Sequence, residues 1–179
     1  MWHFQQLRDY IYFAKRYKEF NHRHANLLRP RLFSEKVVNR LIYDRNPYFK
    51  IYCDKLQCRD FIKDRLGDSY IPLTLGTAIH PDELGQLKTP RRWFLKASHG
   101  SGWFRYIDEA VQPLDEEAKT EAKSWLSKTY YDVNREWGYR GLTPRLIAEQ
   151  IITDMPEKPP LEVHFYFFSG NLAMCRLLR

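Results

Sequence analysis

Lys96 stands near the end of an apolar run, Phe94-Leu95-Lys96-Ala97, and is followed at once by Ser98-His99-Gly100-Ser101-Gly102-Trp103. A strand that delivers a lysine to a loop of small residues has the means to hold phosphate. Gly100 and Gly102 permit unusual dihedrals and let backbone N–H groups approach closely, Lys96 supplies a point charge, and Ser101 adds a hydroxyl donor. The order differs from a P-loop, where the lysine follows the glycines and a helix begins immediately, and from the dinucleotide fingerprint. A tight hairpin with an incidental lysine uses the same residues, so the loop needs supporting features elsewhere.

Two further segments offer them. In Arg145-Leu146-Ile147-Ala148-Glu149-Gln150-Ile151-Ile152 an apolar strand ends in a carboxylate and passes into a connection. Glu149 in an apolar setting needs a partner, because an unpaired buried charge is costly. An adenine amino group would serve, with the following backbone pairing to the purine edge; an outward-facing strand residue is the other account. Asp54-Lys55 opens a helix with Asp54 as its N-cap. Lys55 then sits at the positive helix end, a poor match that favours an anion nearby. His22 and His24 fall in a polar connection, and His3 and His80 have no evident partner. Cys53, Cys58 and Cys175 form neither a disulfide framework nor a zinc knuckle.

The elements that must position these groups follow from periodicity. Tyr10, Phe13, Tyr17 and Phe20 recur at helical spacing among basic residues, predicting an amphipathic helix over Trp2 to Phe20. Such a helix either packs on the fold or docks on a membrane surface or a partner; it is expected to be dispensable for nucleotide binding. Ser34 is placed as the cap of a helix that ends before Pro47, and Gly67 as the stop of the helix opened by Asp54. Strands are expected at Tyr70 to Leu75, Trp93 to Lys96, Trp103 to Ile107 and Arg145 to Ile152. A turn with a short helix covers Ile79 to Leu87, and a helix Asp115 to Tyr130. Glu162 to Phe168 and Ala173 to Leu177 form a hairpin about Gly170-Asn171. The interleaving is that of an α+β fold.

The bulk properties narrow the function. With 44% hydrophobic residues in 179, a packed core is expected rather than disorder. A net charge of +7 favours anionic partners. The basic residues are scattered and no standard recognition module is visible, so nucleic acid is not expected. No apolar run is long enough to span a bilayer. The chain is expected in the cytoplasm, with peripheral contact at the inner face of the membrane through the N-terminal helix.

Taken in order, Leu32-Phe33-Ser34-Glu35-Lys36, Tyr43-Asp44-Arg45-Asn46-Pro47, Asp54-Lys55 with Arg59, Leu95-Lys96 with His99 to Trp103, and Ile147-Ala148-Glu149 resemble the TupA-like ATP-grasp family. That family is associated with teichuronopeptide and other cell-surface polysaccharide synthesis. The resemblance covers residue 31 onward and implies ATP held between two α+β subdomains. It further implies phosphoryl transfer to a carboxylate and amide formation through the acylphosphate. Its implied organisation is a helix and connection over 1–30, a helical part over 31–90, an ATP-binding subdomain over 91–155, and the start of a second subdomain over 156–179. On this resemblance Lys55 and Lys96 bind phosphates, and His99, Gly100, Ser101 and Gly102 form a flexible loop over them. Glu149 with the backbone of Gln150 and Ile151 holds adenine, Asp154 contacts ribose, and His164 stands where the family has a lysine. Mg2+ would bridge the phosphates, with its ligands expected beyond Arg179, so that the chain reads as an incomplete module. The substrates implied are a polysaccharide precursor and an amino acid; the alternative is a non-catalytic relative acting as a nucleotide-binding or scaffold partner in envelope assembly.

Overall fold

The computed structural model describes residues 4–152 and 161–178. Helix α1 spans Phe4–Asn21, and its spaced aromatics behave as the period requires, with Phe13 and Tyr17 buried. Trp2, placed at the helix start from the sequence, lies outside the described residues. Phe13 packs with Leu27 and with Ile42 of α2 (Phe33–Tyr43). The start of α2 corrects one expectation. Its N-cap position is Leu32 rather than Ser34, whose hydroxyl instead bonds Tyr17 at 2.9 Å. Glu35 does the capping: its carboxylate accepts from the N–H groups of Asn26, Arg31 and Leu32 at 3.2, 3.0 and 3.1 Å. Three backbone donors, Arg31 foremost, hold its pKa down at about 2.

Helix α1 is also tied to the rest of the chain. Asp9, 1% exposed, accepts from Tyr131 Oη at 2.6 Å and lies 3.7 Å from Arg45 Nη2. Tyr12 Oη donates to Val133 O at 3.1 Å. These contacts pack the helix on the rest of the fold, the first of the two roles expected for it. No described helix is long and apolar enough to cross a membrane.

After Pro47 comes a short helix the sequence did not suggest, α3 (Tyr48–Cys53), and then α4 (Lys55–Leu66), which stops at Gly67 with φ +86°. The strand expected at Tyr70 to Leu75 is displaced: Asp68–Tyr70 forms a 3-10 turn, and β1 runs Thr74–Ala78. Strands β2 (Arg92–Ala97) and β3 (Phe104–Asp108) form the expected hairpin. Helix α5 (Glu116–Leu126) is shorter than expected, because the chain breaks and restarts as α6 (Tyr130–Asn134). With β4 (Leu146–Gln150) the first sheet has the order β1-β4-β2-β3, antiparallel throughout. A second sheet is the hairpin of β5 (Glu162–Phe168) and β6 (Asn171–Leu178). The fold is α+β.

Strand alternation gives the four-stranded sheet two unlike faces. Trp93, Leu95 and Ala97 join Leu146, Ala148 and Ile107 in one core with Ala118, Ala122 and Trp125 of α5. Burying side chains such as Trp93 and Leu95 contributes about 1.5–3 kcal/mol each, which fixes the register. The register therefore sends Phe94, Lys96 and Glu149 to the opposite face, where Phe94 stands across from Glu149 and Lys96 from Ile147. That face carries the candidate chemistry.

Candidate functional site

Helix α4 and strand β2 meet at the base of the glycine loop. Asp54 caps α4 by accepting from Leu56 N at 2.9 Å, and its carboxylate also takes Gln57 Nε2 at 3.1 Å. The cap holds the first turn so that Lys55 N–H donates to Ser98 O at 3.0 Å. The Lys55 ammonium reaches the same loop, donating to Ala97 O at 2.8 Å and to Gly100 O. One turn along, Arg59 projects on the same helical face. Its Nη1 donates to Pro72 O at 2.6 Å, and its Nη2 is ion-paired with Glu149. The other oxygen of Glu149 takes Lys96 Nζ.

Two cations, Arg59 and Lys96, thus converge on one buried carboxylate, and Lys55 stands near enough to Lys96 to feel its charge. Burial and then the nearness of Lys96 push Lys55 down to about 8. Burial foremost, then Arg59, lowers Lys96, while Glu162 of β5 counters. Burial lowers Arg59 as well. Burial is the first cause in all three; a neighbouring cation adds to it in the two lysines, and Asp54 offsets it at Lys55. An anionic ligand would suit cations so poorly hydrated.

The loop itself is more fixed than a fully flexible cover. Ser98, His99 and Gly100 are buried, and only Ser101 and Gly102 are exposed. His99 Nε2 lies 3.0 Å from Trp125 O, which accepts its proton and so sets the tautomer; burial foremost lowers its pKa. The ring of Trp103 stands edge-on between His99 and Tyr130, at 5.4 and 5.5 Å. A Cβ on Gly100 would lie 2.2 Å from that ring, so close approach requires glycine there. Gly102, with φ +73°, makes the exposed turn. Ser98 Oγ is buried without a partner among the described residues.

The structure brings Lys55, Lys96 and Glu149 together, with His99 to Gly102 directly beside them. Gln150 N–H donates to Leu73 O at 2.9 Å and so is already engaged within the chain. His164 lies on the hairpin, its Nε2 3.4 Å from Oε2 of Glu162, the residue whose charge favours the protonated Lys96. Asp154 lies outside the described residues. Arg59 is the member whose part at the site the residue-by-residue reading missed. Its signal was the i, i+4 spacing from Lys55, which puts both cations on one face. Among the described residues no three carboxylates, histidines or thiols converge as a metal would require, so no magnesium ligand is assigned.

A family model described as TupA-like ATPgrasp matches residues 35–177. No curated protein and no solved structure matches the chain.

Proposed function

The chain belongs to the TupA-like ATPgrasp family, with its general ATP-dependent, ligase-like function, and on that premise we propose that it joins a carboxylate to an amine on a cell-surface polysaccharide precursor. The observation that supports this most directly is the gathering of Lys55 and Lys96 beside a glycine loop, with Arg59 and Lys96 paired to the buried carboxylate of Glu149. In this reading Lys55 and Lys96 neutralise the phosphate chain of ATP, and the exposed Ser101–Gly102 turn offers backbone and hydroxyl donors to it. Glu149, the Gln150 carbonyl and Ile151 lie at the adenine end, and Asp154 contacts ribose. A carboxylate oxygen of the acceptor attacks the γ-phosphorus and ADP leaves; the amine then attacks the acyl carbon, phosphate departs and the nitrogen loses a proton. Such transfer is governed by positioning and charge neutralisation, which this chain's lysines provide. Mg2+, when bound, would add to the neutralisation of phosphate charge. The amine is an amino acid and the carboxylate a uronic acid in the form of the reaction we favour. The reaction is placed in the cytoplasm.

Calorimetric titration with ATP, with and without Mg2+, tests the site, alongside Lys96→Ala. Saturable binding that the variant loses supports it; a folded wild-type chain that takes up no nucleotide overturns it. Scoring amide product against ATP hydrolysis then separates a ligase from a non-catalytic relative. Binding with no amide product favours the relative.

A further inference from the structure

Glu149 is nearly fully buried, 5% exposed, yet its two oxygens are each taken by a different cation. The two partners are not alike. Arg59 is pinned from behind, since its Nη1 also donates to Pro72 O at 2.6 Å, and its guanidinium is a rigid fork. Lys96 has no other hydrogen bond among the described residues; its ammonium lies 5.1 Å from the ring centre of Phe94, on a flexible stem. One cation is fixed to Glu149 and the other is free to leave.

We propose that Glu149 is an internal stand-in for phosphate: it holds Lys96 until nucleotide binds, then releases it to the phosphate chain while Arg59 keeps the carboxylate in place. The proposal rests on the nucleotide reading above and deepens it. Lys96 exchanges one oxyanion for another, so its charge is never left bare. Glu149 keeps a partner throughout, so no buried carboxylate is left unpaired, the event that makes breaking such pairs costly. The oxygen that Lys96 vacates is then open to a donor such as the adenine amino group, which couples filling of the phosphate subsite to filling of the base subsite. Arg59 is in this scheme a positioning residue, acting through Glu149 and not on phosphate.

The test uses the full chain and two probes that separate the subsites, inorganic tripolyphosphate for the phosphates and adenosine for the base. Glu149→Gln keeps size and removes the competing charge, so tripolyphosphate binding is expected to tighten about tenfold, equivalent to about 1.4 kcal/mol. Adenosine binding is not expected to tighten. Arg59→Met leaves Glu149 with Lys96 alone and is expected to weaken tripolyphosphate about tenfold, and adding Glu149→Gln in the same chain restores it. A merely structural Arg59, or one that itself touches phosphate, gives a double variant that stays weak, and that overturns the proposal. Unchanged tripolyphosphate affinity in Glu149→Gln overturns it too, while leaving the nucleotide site standing. Failure of the wild type to bind either probe or ATP overturns both. Should the variants not fold, a crystal structure of the wild type with ADP decides: Lys96 on phosphate with Arg59 still on Glu149 supports the exchange, and Lys96 still on Glu149 refutes it.

Discussion

Replacing Lys55 by methionine separates what this residue does for the site from what it does for the fold. The side chain keeps its length and loses its charge and its bonds to Ala97 O and Gly100 O. Burial, and then Lys96, bring the ammonium from 10.5 down to about 8 in the folded chain. At about 1.4 kcal/mol per pH unit, holding that charge in the folded state costs about 3 kcal/mol, partly offset by the two carbonyls. The sign follows from linkage. Below about pH 8 both folded and unfolded chains carry the proton and the cost is present in full. Between about 8 and 10.5 the unfolded chain binds more protons than the folded one, so wild-type stability rises with pH relative to the variant. Urea denaturation of both proteins at pH 7.5 and 10.5 measures this, and the difference between them cancels the other lysines and tyrosines. The expected outcome is a relative gain for the wild type of about 3 kcal/mol. At pH 7.5 the variant should also bind ATP more than about tenfold weaker, a loss of at least about 1.4 kcal/mol, while Lys55→Arg retains binding. Parallel pH profiles for wild type and Lys55→Met would refute the claim that this is a buried, depressed cation at the mouth of the loop.

Gly100→Ala places a Cβ 2.2 Å from a Trp103 ring held between His99 and Tyr130, so it should cost about 1–3 kcal/mol in thermal or urea unfolding. Gly76→Ala meets only the flexible end of Leu87 and should cost less in the same assay. Asp9→Ala strands Tyr131 and Arg45 beside an emptied carboxylate position and should destabilise by about 3 kcal/mol. Removing residues 1–21 should accordingly give a product without a cooperative melt. Glu35, held at about 2 against an ordinary 4.5, contributes stability that is present above pH 4.5 and lost as pH falls toward 2. Glu35→Gln should flatten that acid limb, leaving the residual slope from Asp108, which is held at about 2 first by Ala110 N–H and then by Arg92 and Arg91.

The parts of this fold that could be read from the chain are those written in local patterns. Helix α1 follows from Tyr10, Phe13 and Tyr17, the β2–β3 hairpin from alternation about a glycine loop, and the stop of α4 from Gly67 at a positive φ. Ser34 misled because a hydroxyl before a helix is an ordinary cap; the donors went instead to Glu35, whose three bonds come from residues up to nine positions away. Asp9 was hidden for the same reason, since its partner Tyr131 lies 122 residues on. At the site, Lys96 and the glycines were legible because strand and loop are contiguous, and Glu149 because a carboxylate closing an apolar strand requires a partner. What could not be read was which partner. The sheet places β4 beside β2, and Arg59 of α4 reaches the same face, so the carboxylate meets Lys96 and Arg59 of its own chain. Adenine was the partner the strand's end suggested; the structure shows the carboxylate already paired within its own chain. On the proposed exchange, the strength of nucleotide binding is set by the difference between two ion pairs rather than by the lysine's charge alone.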